Sequence, residues 1–157
     1  MEIKIVLYLP RDAASVPVCR QVLDSCLLTL GVTPDTRADI ALALSEACAN
    51  VILHAGPGEE YEVQVIARNR RCTVEVVNTG NLDGGPAIDQ PDGFALPDDP
   101  VPVTAEHGRG LKIIDAVADN LQLTSNERQG TTVHFEKTLE WVPGAAGQHL
   151  FTVDGGR

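Results

Sequence analysis

The feature that most constrains this chain is a pair of strand patterns that follow one another directly near its middle. Residues 61–68 and 72–78 are both predicted strands, and only Asn69-Arg70-Arg71 connects them. This connection predicts a tight hairpin, and consecutive strands favour antiparallel pairing. The chain therefore lacks the strand–helix alternation of a doubly wound parallel sheet.

The other periodicities give the order strand, helix, helix, strand, strand, long loop, helix, strand, strand. This order predicts an α+β fold: a two-layer sandwich of a mixed, mostly antiparallel sheet with helices on one face. We expect a single domain over residues 1–140 and a loose C-terminal tail over 141–157. Ser15 is the expected N-cap of the first helix. The remaining predicted segments are strands at 2–9, 120–125 and 131–139, and helices from Ser15 to Gly31, from Thr33 to the Gly56-Pro57-Gly58 stop, and from Gly108 to Asp119.

Much of the negative charge lies in one aperiodic segment. The 157 residues carry a net charge of -10, and residues 80–107 contain six acidic residues and no Lys or Arg. Such acidity disfavours direct nucleic-acid binding. No window is apolar enough for a membrane span. We expect a cytoplasmic protein whose four cysteines are buried and reduced.

Glu46, Asn50 and His54 follow one another at steps of four, so they share one stripe of the second predicted helix. A carboxylate one turn from a carboxamide can hold a hydrated Mg²⁺ and polarise a nucleophile. A plain polar helix edge explains the same residues.

Glycine-containing segments mark three further candidate sites. Gly108-Arg109-Gly110-Leu111 opens the third helix, where free N–H groups attract phosphate. Asn78-Thr79-Gly80 ends a strand, where a polar side chain can read a base edge. Gly130-Thr131-Thr132 enters the last strand. Taken singly, each is also explained by an ordinary turn or helix start.

Together and in this order, these segments resemble the boxes of the GHKL ATPases, and specifically the anti-sigma-factor serine kinases of bacterial sporulation and stress control. The resemblance covers roughly residues 2–139 and implies the Bergerat fold. The matching segments are 46–54 for the N-box, 74–80 for the first glycine box, 108–114 with Asp119 for the second, and 130–133 for the last.

The resemblance implies an ATP-binding anti-sigma factor that sequesters a sigma factor and phosphorylates a serine on an anti-anti-sigma partner of STAS type. It implies ATP and Mg²⁺ as cofactors, Glu46 as the general base, Asn50 as the Mg²⁺ ligand and a lid at about residues 80–107. Family members are commonly dimers, and the sequence leaves a homodimer open. The residues implied in nucleotide binding are Asn50, Asn78, Gly80, Gly108, Arg109, Gly110, Leu111, and Thr131 or Thr132.

One position departs from the family pattern. The first glycine box normally has an Asp that accepts a hydrogen bond from the adenine amino group, and this chain has Asn78. An amide oxygen accepts the same bond without charge assistance. The departure keeps open an alternative, a non-catalytic partner-binding regulator with weak or no nucleotide binding. A detached histidine-kinase catalytic domain is a third hypothesis, disfavoured because we see no second helical hairpin with a phosphoacceptor His.

Overall fold

The computed structural model describes residues 1–54, 60–78, 107–126 and 130–152, which form five strands and four helices. In chain order these are β1 (Glu2–Pro10), α1 (Ser15–Leu30), α2 (Pro34–His54), β2 (Glu60–Arg68), β3 (Arg71–Asn78), α3 (His107–Val117), β4 (Asn120–Asn126), β5 (Gly130–Thr138) and α4 (Ala146–Thr152).

The five strands form one sheet in the order β1-β2-β3-β5-β4, and every pairing between them is antiparallel. The predicted hairpin is confirmed, because Arg68 pairs with Arg71 and only two residues connect β2 to β3. Asn69 has a φ of 56°, a left-handed conformation that tight hairpins need and asparagine tolerates. The expected α+β sandwich is confirmed, with an antiparallel rather than a mixed sheet.

The core lies between the helices and one face of the sheet. Alternate residues of β2 and β3, such as Val63 and Val74, are fully buried, and the residues between them are partly exposed. The central helix is α2, which contacts α1, α3, β3 and β5. Its side chains Leu44 and Val51 are fully buried, and burial of one such side chain stabilises the fold by about 1.5–3 kcal/mol.

The sequence predicted the C-terminal end of α1 correctly, but not its N-terminal end. The prediction that Ser15 caps the helix is wrong, since Ser15 is the first helical residue and is buried. Its hydroxyl donates to the Asp12 carbonyl at 2.7 Å and shares a hydrogen bond of 2.6 Å with the Tyr61 hydroxyl. The buried tyrosine thus draws Ser15 into the core. Gly31 ends the helix as predicted, with a φ of 86°.

The loose tail predicted from residue 141 onward is wrong for residues 141–152. Trp141 forms a β-bridge with Val32 and stacks on Phe151 of α4, with ring centroids 5.7 Å apart. Phe151 is buried to 4% exposure. Aromatic packing beside the end of α1 therefore orders a segment whose small residues look unstructured in sequence. Residues 153–157 lie outside the described residues.

Candidate functional site

Glu46 and Asn50 lie one turn apart along the edge of α2, and both are partly exposed. Between them Ala47 and Cys48 are completely buried. The core therefore fixes the rotation of the helix, and with it the direction in which the two polar side chains leave it. His54 is the last residue of α2, and its side chain lies outside the described set.

The first turn of α3 lies beside Glu46. A Cβ built on Gly110 would be 3.1 Å from Glu46 Oε2. Ile114 is fully buried and Leu111 packs against the core, so the apolar side of α3 holds its first turn against α2. Gly108 belongs to the same turn. Segments that are far apart in sequence, the N-box stripe and the glycine segment, are thus brought together.

Asn78 and Thr131 lie at neighbouring strand ends on the helix-covered face of the sheet. Both are buried, Asn78 to 6% exposure and Thr131 to 5%. Because Val77 pairs with Thr132, the antiparallel register continues with Asn78 opposite Thr131. Side chains alternate across a strand, so Thr132 lies on the opposite, open face. Of the two threonines considered for the base pocket, Thr131 is the one on the covered face.

Some of the expected site lies outside the described residues. This holds for Gly80, for the side chain of Arg109, and for the expected lid over about residues 80–107, of which only His107 is described. His107 is the first residue of α3, which therefore begins one residue before the predicted start. Lys112, one turn after Gly108, is exposed.

The oxygen donors on α2 suit a magnesium ion that is held mainly by nucleotide phosphates. Asn50 offers an amide oxygen and Glu46 a carboxylate one turn away. In nucleotide sites Mg²⁺ typically uses one or two protein groups together with phosphates and water. Across the described ranges, no group of three or more His, Cys, Asp or Glu side chains could hold a metal. Within the described residues, Glu46 and Asn50 therefore supply only part of a magnesium coordination shell.

Two long side chains, which sequence reasoning missed, fasten the elements of the site to each other. Lys137 of β5 donates to the Val117 carbonyl at the end of α3 at 2.6 Å and pairs with Asp39 of α2 at 3.2 Å. Arg11 donates to the Ile52 carbonyl, in the last turn of α2, at 2.7 Å. Two of the acceptors are backbone carbonyls, which every residue type has, so no sequence signal marks these contacts.

The cysteine thiol of α2 lies away from the polar stripe. A hydrogen bond with Cys19 and burial both raise the pKa of Cys48, so this thiol stays protonated at neutral pH. All four cysteines are free, as expected, but the expected burial is wrong for Cys26, which is partly exposed. Cys48 therefore belongs to the core rather than to the chemistry of the stripe.

Comparison with known proteins agrees with this geometry. Residues 9–137 match the family described as the histidine kinase-like ATPase domain. The chain belongs to this family. The match confirms the resemblance drawn from the sequence boxes, and α4 lies beyond the matched range.

This ATPase domain is similar to bacterial protein kinases along most of its length. It is 29% identical over 138 residues to the serine-protein kinase RsbW of Bacillus velezensis, covering 86% of this chain and 85% of that protein. It is 26% identical over 139 residues to the serine-protein kinase RsbW of Bacillus mycoides, covering 87% and 86%. Among the described residues, no helix is long and apolar enough to cross a membrane.

Proposed function

We propose that this ATPase domain is an ATP-dependent serine kinase of the anti-sigma type. It binds ATP with Mg²⁺, sequesters a sigma factor in the cytoplasm and phosphorylates a serine on an anti-anti-sigma partner of STAS type. The observation that carries the proposal is the approach of Glu46 to Gly110, which puts a carboxylate beside the first turn of α3. Two relatives named as serine-protein kinases support the same reaction class.

In the proposed reaction Glu46 is the general base. Its carboxylate accepts the proton of the partner's serine hydroxyl while the serine oxygen attacks the γ-phosphorus. The bond from that phosphorus to the β–γ bridging oxygen breaks, and ADP leaves. Backbone N–H groups at the start of α3 attract the phosphates. Bound Mg²⁺, held in part by Asn50, would supply positive charge that offsets the negative charge of the phosphates.

The proposed base pocket uses the buried strand ends. Asn78 and Thr131 place an amide and a hydroxyl on the covered face of the sheet, where few polar side chains are buried. The amide oxygen of Asn78 would accept a hydrogen bond from the adenine amino group. Because this acceptor is neutral, we expect ATP affinity to be modest.

The variant Glu46→Gln tests the assignment of the base, because glutamine keeps the length of the side chain but cannot take the proton. The full chain is incubated with MgATP and its cognate STAS protein, and phosphoserine is quantified under single-turnover conditions. We expect the transfer rate to fall by about 100-fold or more, with ATP affinity changed far less. The matched control is Glu140→Gln, which changes an exposed glutamate away from the site. Transfer at the wild-type rate by Glu46→Gln would contradict the assignment.

Asn78 favours a second candidate, a partner-binding regulator without catalysis. The buried amide stands where a carboxylate would strengthen adenine binding. Calorimetric titration of the isolated protein with ATP and ADP separates the two candidates. Micromolar binding supports the kinase, whereas no binding at millimolar nucleotide supports the regulator.

A further inference from the structure

Gly110 has no conformational reason to be glycine. Among the described glycines, only Gly31 and Gly144 have a positive φ, so Gly110 has the ordinary backbone of a right-handed helix. Glycine inside a helix is destabilising compared with alanine, because it loses more backbone freedom on folding. An unfavourable residue at this position needs an explanation other than backbone geometry.

The surroundings of Gly110 supply that explanation. The nearest atom to a Cβ built there is Glu46 Oε2 at 3.1 Å, closer than ordinary van der Waals contact. A hydrogen fits in this space, whereas a methyl group requires the carboxylate to move by a few tenths of an ångström. Gly147, by contrast, faces the ring of Trp141. The neighbour of Gly110 is thus a charged group that the fold does not need for its core.

We propose that Gly110 is a positioning residue for Glu46: the missing side chain lets the carboxylate lie directly against the first turn of α3. This role differs from contact with phosphate, because it acts on the base rather than on the nucleotide. Since Glu46 is the base only under the proposed function, the catalytic part of this inference rests on that function. The steric part does not, and it is tested separately.

The steric part is tested by thermal unfolding of four full-length proteins. They are the wild type, Gly110→Ala, Glu46→Ala and the double variant. Where Glu46 is truncated, Gly110→Ala gains helix propensity without a clash, and the Tm should rise by about 1–4 °C. With Glu46 present the same exchange should give a smaller rise or a fall. Equal shifts in both backgrounds would overturn the proposed contact.

The matched control for unfolding is Ala116→Gly, the reverse exchange at an exposed position of the same helix. It should lower the Tm by the same amount whether Glu46 is present or truncated. A difference between the two backgrounds would mean that truncating Glu46 loosens α3 generally, and the contact at Gly110 would lose its support.

The catalytic part is tested by single-turnover phosphoryl transfer, with ATP affinity measured separately. Gly110→Ala should slow transfer roughly three- to tenfold, because a shift of a few tenths of an ångström misplaces the base. Rescue is the decisive readout. Glu46→Asp shortens the side chain by one methylene and removes the clash with the methyl group that Gly110→Ala introduces. The factor by which it slows transfer should therefore be at least threefold smaller in the Gly110→Ala background than in the wild type. Independent, multiplicative effects would overturn the positioning role. If the wild type transfers no phosphate at all, the proposed function fails while the unfolding cycle still decides the contact.

Discussion

The two ends of the molecule use glycine in opposite ways. Where α1 meets the C-terminal segment, Gly31 has a φ of 86°, and a Cβ built on it would lie 2.5 Å from Ala145 Cβ. At the site, Gly110 has a helical backbone and faces the tip of the flexible Glu46 side chain. The first contact joins rigid apolar groups, and the second joins a backbone to a carboxylate. We therefore expect the first to control stability and the second to control the position of one functional group.

These two regions lie at opposite ends of the sheet. β3 runs from Arg71 to Asn78, and seven steps of about 3.3 Å put its ends roughly 23 Å apart. The Leu139 N–H donates to the Arg70 carbonyl at 2.7 Å, so the chain leaves the sheet for α4 at the hairpin end. Asn78 marks the other end. Substitutions at sites this far apart should act additively, and the following changes test that independence.

The largest effect is expected for Phe151→Ala. The ring is 4% exposed and stacks on Trp141, and removal of a buried phenyl group typically costs about 3–5 kcal/mol. Urea unfolding measures the loss, and the folded protein should keep its ATP affinity. Leu150→Ala is the control. The Leu150 side chain is 44% exposed, so its removal should lower the free energy of unfolding much less. If ATP affinity falls together with stability, the two ends are not independent.

A smaller loss of roughly 2–4 kcal/mol is expected for Gly31→Ala, which combines a left-handed backbone with a clash against Ala145. Gly144→Ala separates these causes. Gly144 also has a positive φ, of 75°, but has nothing within 4 Å of its built Cβ, so only the backbone cost of about 1–2 kcal/mol remains. Denaturant titration of both variants should show the larger loss for Gly31. Equal losses would show that the contact with Ala145 contributes nothing.

At the site end, Asn78→Asp should raise ATP affinity by up to about tenfold, which corresponds to about 1.4 kcal/mol, because the proposed hydrogen bond to adenine gains charge assistance. Calorimetry measures this change. The apo protein should lose some stability, since the substitution buries a carboxylate. Asn120→Asp, on an exposed position of β4, should leave ATP affinity unchanged. Weaker ATP binding by Asn78→Asp would remove Asn78 from the proposed base pocket.

The smallest effect is expected on the open face of the sheet, away from both glycines. The pKa of His134 is raised by its pairing with the Glu75 carboxylate, which lies 3.6 Å from the ring Nδ1, and Glu136 at 3.7 Å from Nε2 adds to this. Because the folded-state pKa is the higher one, the stabilisation is complete below the unfolded pKa of about 6.5 and is lost as the pH rises through the folded pKa. The free energy of unfolding should therefore fall as the pH is raised above about 6.5.

The variant Glu75→Gln should flatten this pH dependence, while Gln64→Ala, on the neighbouring strand, should leave its slope unchanged. ATP affinity should stay constant in both. Unfolding curves at several pH values provide the check, and identical slopes for Glu75→Gln and the wild type would exclude the pairing as a source of stability.

Local chemistry allowed the correct parts of the fold to be predicted from sequence. Asn69 supplies the backbone that a two-residue hairpin needs, and Gly31 supplies the left-handed end of α1. The errors at Ser15 and in the C-terminal segment share one cause. Their structure depends on partners distant in sequence, Tyr61 and Val32, and no local pattern identifies such partners.

The sequence predicted the candidate site as separate segments. It could not predict which side chains of these segments face one another. A shift of one residue along a strand exchanges its two faces, so the sequence could not choose between Thr131 and Thr132. The contact between Glu46 and Gly110 depends on how two helices pack, which their separate amphipathic patterns do not specify. The structure supplies that packing.

The two ends of α3 are attached in different ways. At its C-terminal end the Val117 carbonyl is held by Lys137, and Ile114 is buried. At its N-terminal end lies the close contact with Glu46. The helix has 11 residues and is therefore about 16 Å long. Its C-terminal half is anchored in the core, and its first turn lies at the far end. Any tilt of α3 about its buried C-terminal half would therefore move the first turn, and with it the backbone against which the Glu46 carboxylate lies.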